Sequence, residues 1–291
     1  MSTPDNNQWT IQKIIHWTTN YFKTHNVESP RMSAEVLLAY ALNLKRIDLY
    51  LKYDQPLNPL ELSTYKKLIK RRVKHEPVAY ITGTKEFWSK NFIVGPKVLI
   101  PRPDTECLVE TTIDIISNKN NDLKIIELGT GSGAAILSIA SEKSDHKYFA
   151  TDISESALDI AKQNAKNLNI EMTFLWGSWF DPILDHKPFD IIISNPPYIK
   201  TSQIKNLQPE ISIYEPLTAL DGGSDGLKCI NKIIQNAYKY LNPDGYLLIE
   251  TGFDQKDAVC QLANNSGQYK NITYKKDYSH LNRLVIMEKN S

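Results

Sequence analysis

Cysteine is scarce, long apolar runs are missing and neither sign of charge dominates; each shortage removes a class of protein. The three cysteines (Cys107, Cys229 and Cys260) are odd in number and include no C-x-x-C pair. Neither a disulfide framework nor a zinc site is therefore expected, and a reducing cytosol suits the chain. Apolar runs such as Ile191-Ile192-Ile193 fall far short of a bilayer span, so no membrane helix is expected. The opening residues, Met1-Ser2-Thr3-Pro4-Asp5-Asn6-Asn7-Gln8, lack the basic and apolar segments of a secretory signal, which points to a soluble cytoplasmic protein. Low complexity and single-sign charge, the marks of disorder, are also lacking. The histidines are scattered and build no cluster with Asp or Glu, so no metal site is expected. What is present is 291 residues with 41% hydrophobic side chains, which at roughly 150 residues per domain suggests about two domains.

The near-zero net charge, 34 Lys and Arg against 33 Asp and Glu, conceals a division. Residues 1–90 carry 14 basic and 8 acidic side chains, leaving 20 basic against 25 acidic in residues 91–291. The basic part has helical spacing: Trp9, Ile11, Ile14, Ile15, Thr18, Tyr21 and Phe22 recur at steps of about three and four. Ser29-Pro30 predicts a second helix start, with Ser29 as N-cap and Pro30 at the first position, ahead of Val36, Leu37, Tyr40 and Ala41. Asn58-Pro59 predicts another, ahead of Leu62, Tyr65, Leu68, Ile69 and Val73. The polar side of that helix gathers Lys66, Lys67, Lys70, Arg71, Arg72 and Lys74, which form either a solvated face or a surface that docks a partner. Phe87-Trp88, Asn91-Phe92-Ile93-Val94, Gly95-Pro96 and Val98-Leu99-Ile100 then predict a short β-hairpin connector. The expected organisation is a helical domain over 1–83, a hairpin over 84–104 and a third segment over 105–291.

After residue 105, strand and helix patterns alternate, which predicts a mostly parallel sheet covered by helices, an α/β fold. Strands are expected at 124–128, 148–152, 172–176, 189–194, 246–250 and 284–287, with helices at 133–142, 155–168, 225–241 and 254–265. In open sheets of this kind, ligands bind beyond the carboxyl ends of the strands. The first strand runs into Glu127-Leu128-Gly129-Thr130-Gly131-Ser132-Gly133, where alternate glycines permit a sharp turn and close approach to a ligand. With Ala134 this completes G-x-G-x-x-A, although a ligand-free strand–helix turn has the same composition. Asp152, 21 residues after Gly131, ends the second strand, where a carboxylate can accept both hydroxyls of a ribose or cap the following helix. NAD and S-adenosylmethionine satisfy these two features equally. Trp179, after the third strand, can cover an adenine ring or serve as core.

The fourth strand separates the two cofactors, because it ends in Asn195-Pro196-Pro197-Tyr198. Two consecutive prolines fix φ and remove two backbone donors, so this corner is stiff and offers acceptors. The Asn195 side-chain carbonyl, the Pro196 main-chain carbonyl and the Tyr198 ring suit a planar NH₂ group conjugated to an amide or heterocycle. Such a nitrogen has a delocalised lone pair. Holding both of its N–H bonds favours pyramidal character and aims the lone pair at an activated methyl, without a dedicated strong base.

Glu127 to Gly133, Asp152 and Asn195 to Tyr198 resemble a class I S-adenosylmethionine-dependent methyltransferase of the amino-methylating kind. Further segments resemble the HemK/PrmC family, the glutamine N5-methyltransferases of peptide chain release factors. These are Arg71-Arg72 with Glu76-Pro77, Glu86-Phe87-Trp88, Leu99-Ile100-Pro101-Arg102-Pro103-Asp104-Thr105-Glu106, Glu215-Pro216-Leu217-Thr218-Ala219-Leu220, and Asp277-Tyr278 with Asn282-Arg283. The resemblance implies a small helical substrate-recognition domain joined by the hairpin to a seven-stranded, mostly parallel, Rossmann-like sheet. It implies S-adenosylmethionine as cofactor, S-adenosylhomocysteine as product, and the Gly-Gly-Gln loop of bacterial class I release factors as substrate. Gly129, Thr130, Gly131, Ser132 and Gly133 would wrap the methionine end, Asp152 would hold the ribose and Trp179 would flank adenine. Asn195, Pro196, Pro197 and Tyr198 would hold the glutamine amide, with Asn195 also near the cofactor. One departure is Ser178, where many relatives carry an acidic residue suited to the adenine amino group; a hydroxyl is a weaker acceptor than a carboxylate.

Other assignments share parts of this pattern. A nucleic-acid amino-methyltransferase would use the same corner on a flipped base, but the acidic balance of residues 91–291 is a poor start for binding phosphates. A methyltransferase acting on a ribosomal-protein glutamine lies closer, and the Pro-Arg-Pro-Asp-Thr-Glu stretch favours the release-factor branch. A nicotinamide dehydrogenase leaves Asn-Pro-Pro-Tyr without a role, and a non-enzymatic binding module would tolerate loss of Asn195.

Overall fold

The computed structural model describes residues 8–119 and 122–291. The chain forms two compact units: one runs to Gly83 and includes Pro209–Tyr214, and the other comprises Thr84–Gln208 and Glu215–Ser291.

The first unit is helical, with α1 (Ile11–Thr24), α2 (Pro30–Leu42), α3 (Arg46–Leu51), α4 (Pro59–Arg72) and α5 (Val78–Thr82). On α1, Ile11, Ile14, Ile15, Thr18 and Phe22 are buried, the face that their spacing predicts. Asn58 begins α4 with a capping box: its side chain accepts from the Glu61 N–H at 2.9 Å, and the Glu61 carboxylate accepts from the Asn58 N–H at 2.8 Å. Ser29, expected to cap α2, makes no side-chain cap bond. Its φ of 45° is left-handed, whereas a capping side chain needs extended backbone to reach the first turn. The inward face of α2 is Ala34, Leu37 and Leu38, while Tyr40 is half exposed.

The basic run on α4 divides. Lys66, Lys67, Lys70 and Lys74 are exposed, and Arg71 donates to Glu76 at 2.8 Å. Arg72, expected on the polar side, is only 2% exposed. Its guanidinium donates to Ser33 Oγ at 3.2 Å, the Glu76 carbonyl at 3.1 Å and the Glu28 carbonyl at 3.3 Å, and it pairs with Glu210. Glu210 comes from the distant Pro209–Tyr214 segment, so spacing along α4 carries no sign of the partner.

In the second unit, β1 (Thr84–Phe87) and β2 (Lys90–Ile93) form the antiparallel hairpin, turned by Trp88 and Ser89 at φ of 50° and 55°. Two successive left-handed residues match the twist of a two-residue hairpin. Then come α6 (Glu106–Ser117), β3 (Lys124–Leu128), α7 (Ala134–Glu142), β4 (Lys147–Asp152), α8 (Glu155–Asn167), β5 (Thr173–Trp176), β6 (Phe189–Ser194) and α9 (Thr201–Ile204). After α10 (Pro209–Tyr214), which belongs to the first unit, follow α11 (Lys228–Ala237), β7 (Leu241–Glu250), α12 (Lys256–Ser266), β8 (Tyr269–Lys276) and β9 (Asn282–Lys289). Strands β3 to β9 make one seven-stranded sheet in the order β5-β4-β3-β6-β7-β9-β8. All neighbours pair in parallel except β9, which runs antiparallel to β7 and β8. Both faces are covered: Ile125, Ile191, Ile193 and Leu248 pack on one side, Ile126, Ile192, Leu247 and Ile249 on the other. The order reverses between β3 and β6, which places the topological switch point at their carboxyl ends.

The helix expected at 225–241 begins only at Lys228, because Gly226 has φ of 78°, and it gives way to a 3₁₀ turn over Tyr238–Tyr240. No helix among the described residues is long and apolar enough to cross a membrane.

Arg72→Ala is expected to cost about 3 kcal/mol by stranding Glu210 and three other partners. Lys66→Ala should stay within about 0.5 kcal/mol of the parent. Urea unfolding followed by Trp fluorescence distinguishes the two; equal costs would contradict the buried network.

Candidate functional site

Both halves of the site hang on residues just past the switch point. Leu128 of β3 pairs in register with Ser194 of β6, and the Ser194 hydroxyl donates to the Leu128 carbonyl at 2.8 Å. The next residue on one strand opens the glycine loop, and the next on the other is Asn195.

The glycine loop folds back over the end of β4. The Gly129 and Thr130 N–H groups donate to the Thr151 carbonyl at 2.9 and 3.0 Å. The Gly131 N–H donates to Asp152 Oδ2 at 2.8 Å, and Asp152 Oδ1 accepts from the Ser154 N–H at 2.8 Å. Asp152 is thus not the cap of α8; that role belongs to Ser154, whose hydroxyl accepts from the Ala157 N–H at 3.2 Å. A carboxylate has about four lone-pair sites, so two backbone bonds leave Asp152 with capacity for further donors. Burial raises its pKa. Beneath the loop, Glu127 is buried, accepts from the Thr130 hydroxyl and has its pKa pushed up to about 8 by desolvation. Gly133 has a different place: a Cβ there would lie 2.9 Å from the Leu137 side chain and 3.3 Å from Ala161. It seats α7 against α8 and does not line the cavity.

Beyond β5, Trp179 has φ of 51°, and its ring lies beside Gly129, 3.7 Å from where a Cβ would stand. Ser178 lines the cavity with it. Trp176 is turned outward, its indole N–H donating to the Ile153 carbonyl at 3.0 Å.

At the end of β6, Asn195, Pro196 and Pro197 line the same cavity. The Asn195 NH₂ donates to Thr105 Oγ1 at 3.1 Å, which commits the donor half of the carboxamide to the protein and leaves the acceptor half for a ligand. Tyr198 is not among the residues that line this cavity. Its ring packs on the sheet core, its hydroxyl donates to Glu250 Oε1 at 3.3 Å, and burial holds its pKa far above the phenolic range.

Gln255 and Gly226, which no motif marked, help hold the corner in place. Gln255 Nε2 donates to the Tyr198 carbonyl at 3.0 Å and to the Gly226 carbonyl at 3.2 Å. A Cβ on Gly226 would stand 2.5 Å from the Tyr198 carbonyl oxygen. Arg102 pairs with Glu215, and Arg283 pairs with Asp104 at 3.0 Å and Asp277 at 3.1 Å. The Leu99-to-Glu106 run therefore supplies walls (Leu99, Pro101, Arg102 and Thr105) and their anchors together. Glu250 was within reach of sequence reasoning, since it ends β7 as Asp152 ends β4. The resulting cavity has a volume of about 490 Å³, within the range of small-molecule sites.

A Rossmann-like sheet that opens a cavity of this kind at its switch point is the architecture of the nucleoside-dependent methyltransferases. Residues 119–285 match the family model of a methyltransferase domain, and residues 13–83 match that of the PrmC N-terminal domain. The fold also resembles a methyltransferase from Pyrococcus furiosus, with a TM-score of 0.51 at 20% identity over 69% of this chain and 89% of that one. The release factor glutamine methyltransferase of Geobacter sulfurreducens is 41% identical over 259 residues, covering 89% of this chain and 90% of that protein. That of Coxiella burnetii is 42% identical over 262 residues, covering 89% and 92%. This chain belongs to the release factor glutamine methyltransferase family. A methyltransferase domain implies a methyl donor of the S-adenosylmethionine type.

Below pH 4.5, Glu127 is protonated whether the chain is folded or not; between 4.5 and about 8 only the unfolded chain ionises there, so its contribution disfavours folding as pH rises across that window. Glu127→Gln should flatten this dependence by up to about one proton, measured as urea midpoints from pH 5 to 8 without ligand. Gly226→Ala is expected to cost more than about 2 kcal/mol, and Gly267→Ala, where the space is open, about 1 kcal/mol. Comparable unfolding midpoints for the two would contradict the close approach at Tyr198.

Proposed function

We propose that this protein transfers a methyl group from S-adenosylmethionine to the side-chain amide nitrogen (N5) of the glutamine in the Gly-Gly-Gln loop of class I peptide chain release factors, with S-adenosylhomocysteine as the second product. The observation that carries this reading is the acceptor-only corner of Asn195, Pro196 and Pro197 lining the same cavity as the glycine loop and Asp152. The residues present fit the cofactor. Gly129, Thr130, Gly131 and Ser132 offer a close-approach backbone, Asp152 has unused lone pairs for a ribose diol, and Trp179 offers a flat face for adenine. When bound, S-adenosylmethionine supplies a methyl group on a cationic sulfur with a neutral leaving group.

The chain's own task is to orient the acceptor. Asn195 Oδ1 and the Pro196 carbonyl accept the two N–H bonds of the glutamine amide, which turns the nitrogen lone pair out of conjugation. Both acceptors interact more strongly as positive charge develops on nitrogen, so the stabilisation is greatest in the transition state. No side chain is required as a strong base, because the nitrogen becomes far more acidic once methylated. Tyr198 contributes by anchoring the corner to Glu250 rather than by lying on the substrate. Gly133 acts through helix packing.

Asn195→Ala is expected to lower methyl transfer at least about a hundredfold while cofactor affinity changes little. The test is mass spectrometry after incubation with labelled cofactor and a panel of release factor, ribosomal protein and DNA. A 14 Da gain on the Gly-Gly-Gln peptide supports the reading; label confined to the ribosomal protein or DNA, or wild-type turnover by the variant, overturns it.

A further inference from the structure

We propose that Thr105 and Glu250 are positioning residues for methyl transfer, the Thr105 hydroxyl holding the Asn195 carboxamide and the buried Glu250 carboxylate holding Tyr198. This inference rests on the function proposed above. Its geometry is independent of it. Ser194 and Ile249 are partners in the parallel pairing of β6 with β7, so Asn195 and Glu250 leave the sheet side by side. The Asn195 NH₂ donates to Thr105 Oγ1 at 3.1 Å, the Tyr198 hydroxyl donates to Glu250 Oε1 at 3.3 Å, and Thr105 is among the groups that favour the ionised form of Glu250.

The contact from Asn195 to Thr105 runs in one direction. A carboxamide NH₂ can only donate, so Thr105 must receive it and direct its single hydroxyl hydrogen elsewhere; an ionised carboxylate can only accept. The acceptor half of Asn195 is thereby held toward the cavity. The first and last residues of the corner are thus each held by a partner outside it.

Burial gives a second line of support. Glu250 is 1% exposed, does not line the cavity, and its Oε2 has no hydrogen-bond partner. A carboxylate buried with an unmet acceptor is costly for a residue that merely fills space, and an apolar side chain would avoid that cost. Arg283 of β9 moderates the charge, while Asp104, Tyr198 and Cys107 are the other titratable groups near it.

The test uses the full-length protein with intact release factor, and compares Thr105→Val, Thr105→Ser and Glu250→Gln with Asn195→Ala. Thr105→Val is expected to lower kcat at least tenfold with cofactor Kd within twofold, and Thr105→Ser should restore most of it. Wild-type kcat should rise with pH through about 7 as ionised Glu250 accepts the Tyr198 hydroxyl more strongly, and Glu250→Gln should remove that limb. Should Thr105→Val not fold, the isosteric Glu250→Gln and its pH profile decide the matter alone. Wild-type kcat in Thr105→Val, failure of Thr105→Ser to rescue, or an unchanged pH limb in Glu250→Gln overturns the positioning role while Asn195→Ala stays inactive. An active Asn195→Ala overturns the proposed function instead.

Discussion

The hydrogen bond from the Ser194 hydroxyl to the Leu128 carbonyl spans the place where the sheet changes direction. It locks two parallel strand ends level with one another, and the chemistry on either side follows from that alignment. One strand releases a glycine loop that leaves room for close approach to the backbone. The other releases Asn195-Pro196-Pro197, where two prolines have removed the donors. A wall of closely approachable backbone and an acceptor wall therefore face one cavity at fixed height. A slip of one residue between β3 and β6 would turn the alternating Ile191, Ile192 and Ile193 to the wrong faces of the sheet, so the same core packing that stabilises the fold sets the site's geometry.

The charges around the cavity are layered. Glu127 and Asp152 form an acidic floor whose pKa values are raised by burial, while Lys97, Lys228 and Lys232 stand at the exposed margin. Arg102 and Arg283 are already engaged by Glu215, Asp104 and Asp277 and act as fasteners.

Much of this was legible in the sequence because the signals were local. Short apolar runs alternating with helical patterns, and the residues at their ends, located β3, β4 and β6, and with them Gly131, Asp152 and Asn195. Strand β8 went unmarked because it is an edge: Lys270, Asn271, Lys275 and Lys276 dilute its apolar pattern, as edges that avoid mispairing commonly do. Helix α6 was hidden by Val109, Thr111, Thr112, Ile113, Ile115 and Ile116, β-branched residues that weaken helix propensity and are tolerated here because one face is buried. Tyr198 was assigned to the ligand because an aromatic ring beside an amide site invites stacking; only the positions of Glu250 and Gln255 reveal the pull in the other direction. Arg72 looked like surface charge because its counterion lies 138 positions away. Pairings at such separation leave no periodicity to detect.

The excursion of Pro209–Tyr214 into the helical unit has an evolutionary consequence. The polypeptide passes between the units three times, at residues 83/84, 208/209 and 214/215, so neither half is an uninterrupted cassette. Gene fusion at a single breakpoint could not transplant the leading helices onto another catalytic sheet without abandoning Glu210 and the Tyr214 hydroxyl that donates to the Lys74 carbonyl. Such stitching ties the inheritance of the two parts together, and it makes divergence by gradual substitution an easier path for this architecture than domain shuffling.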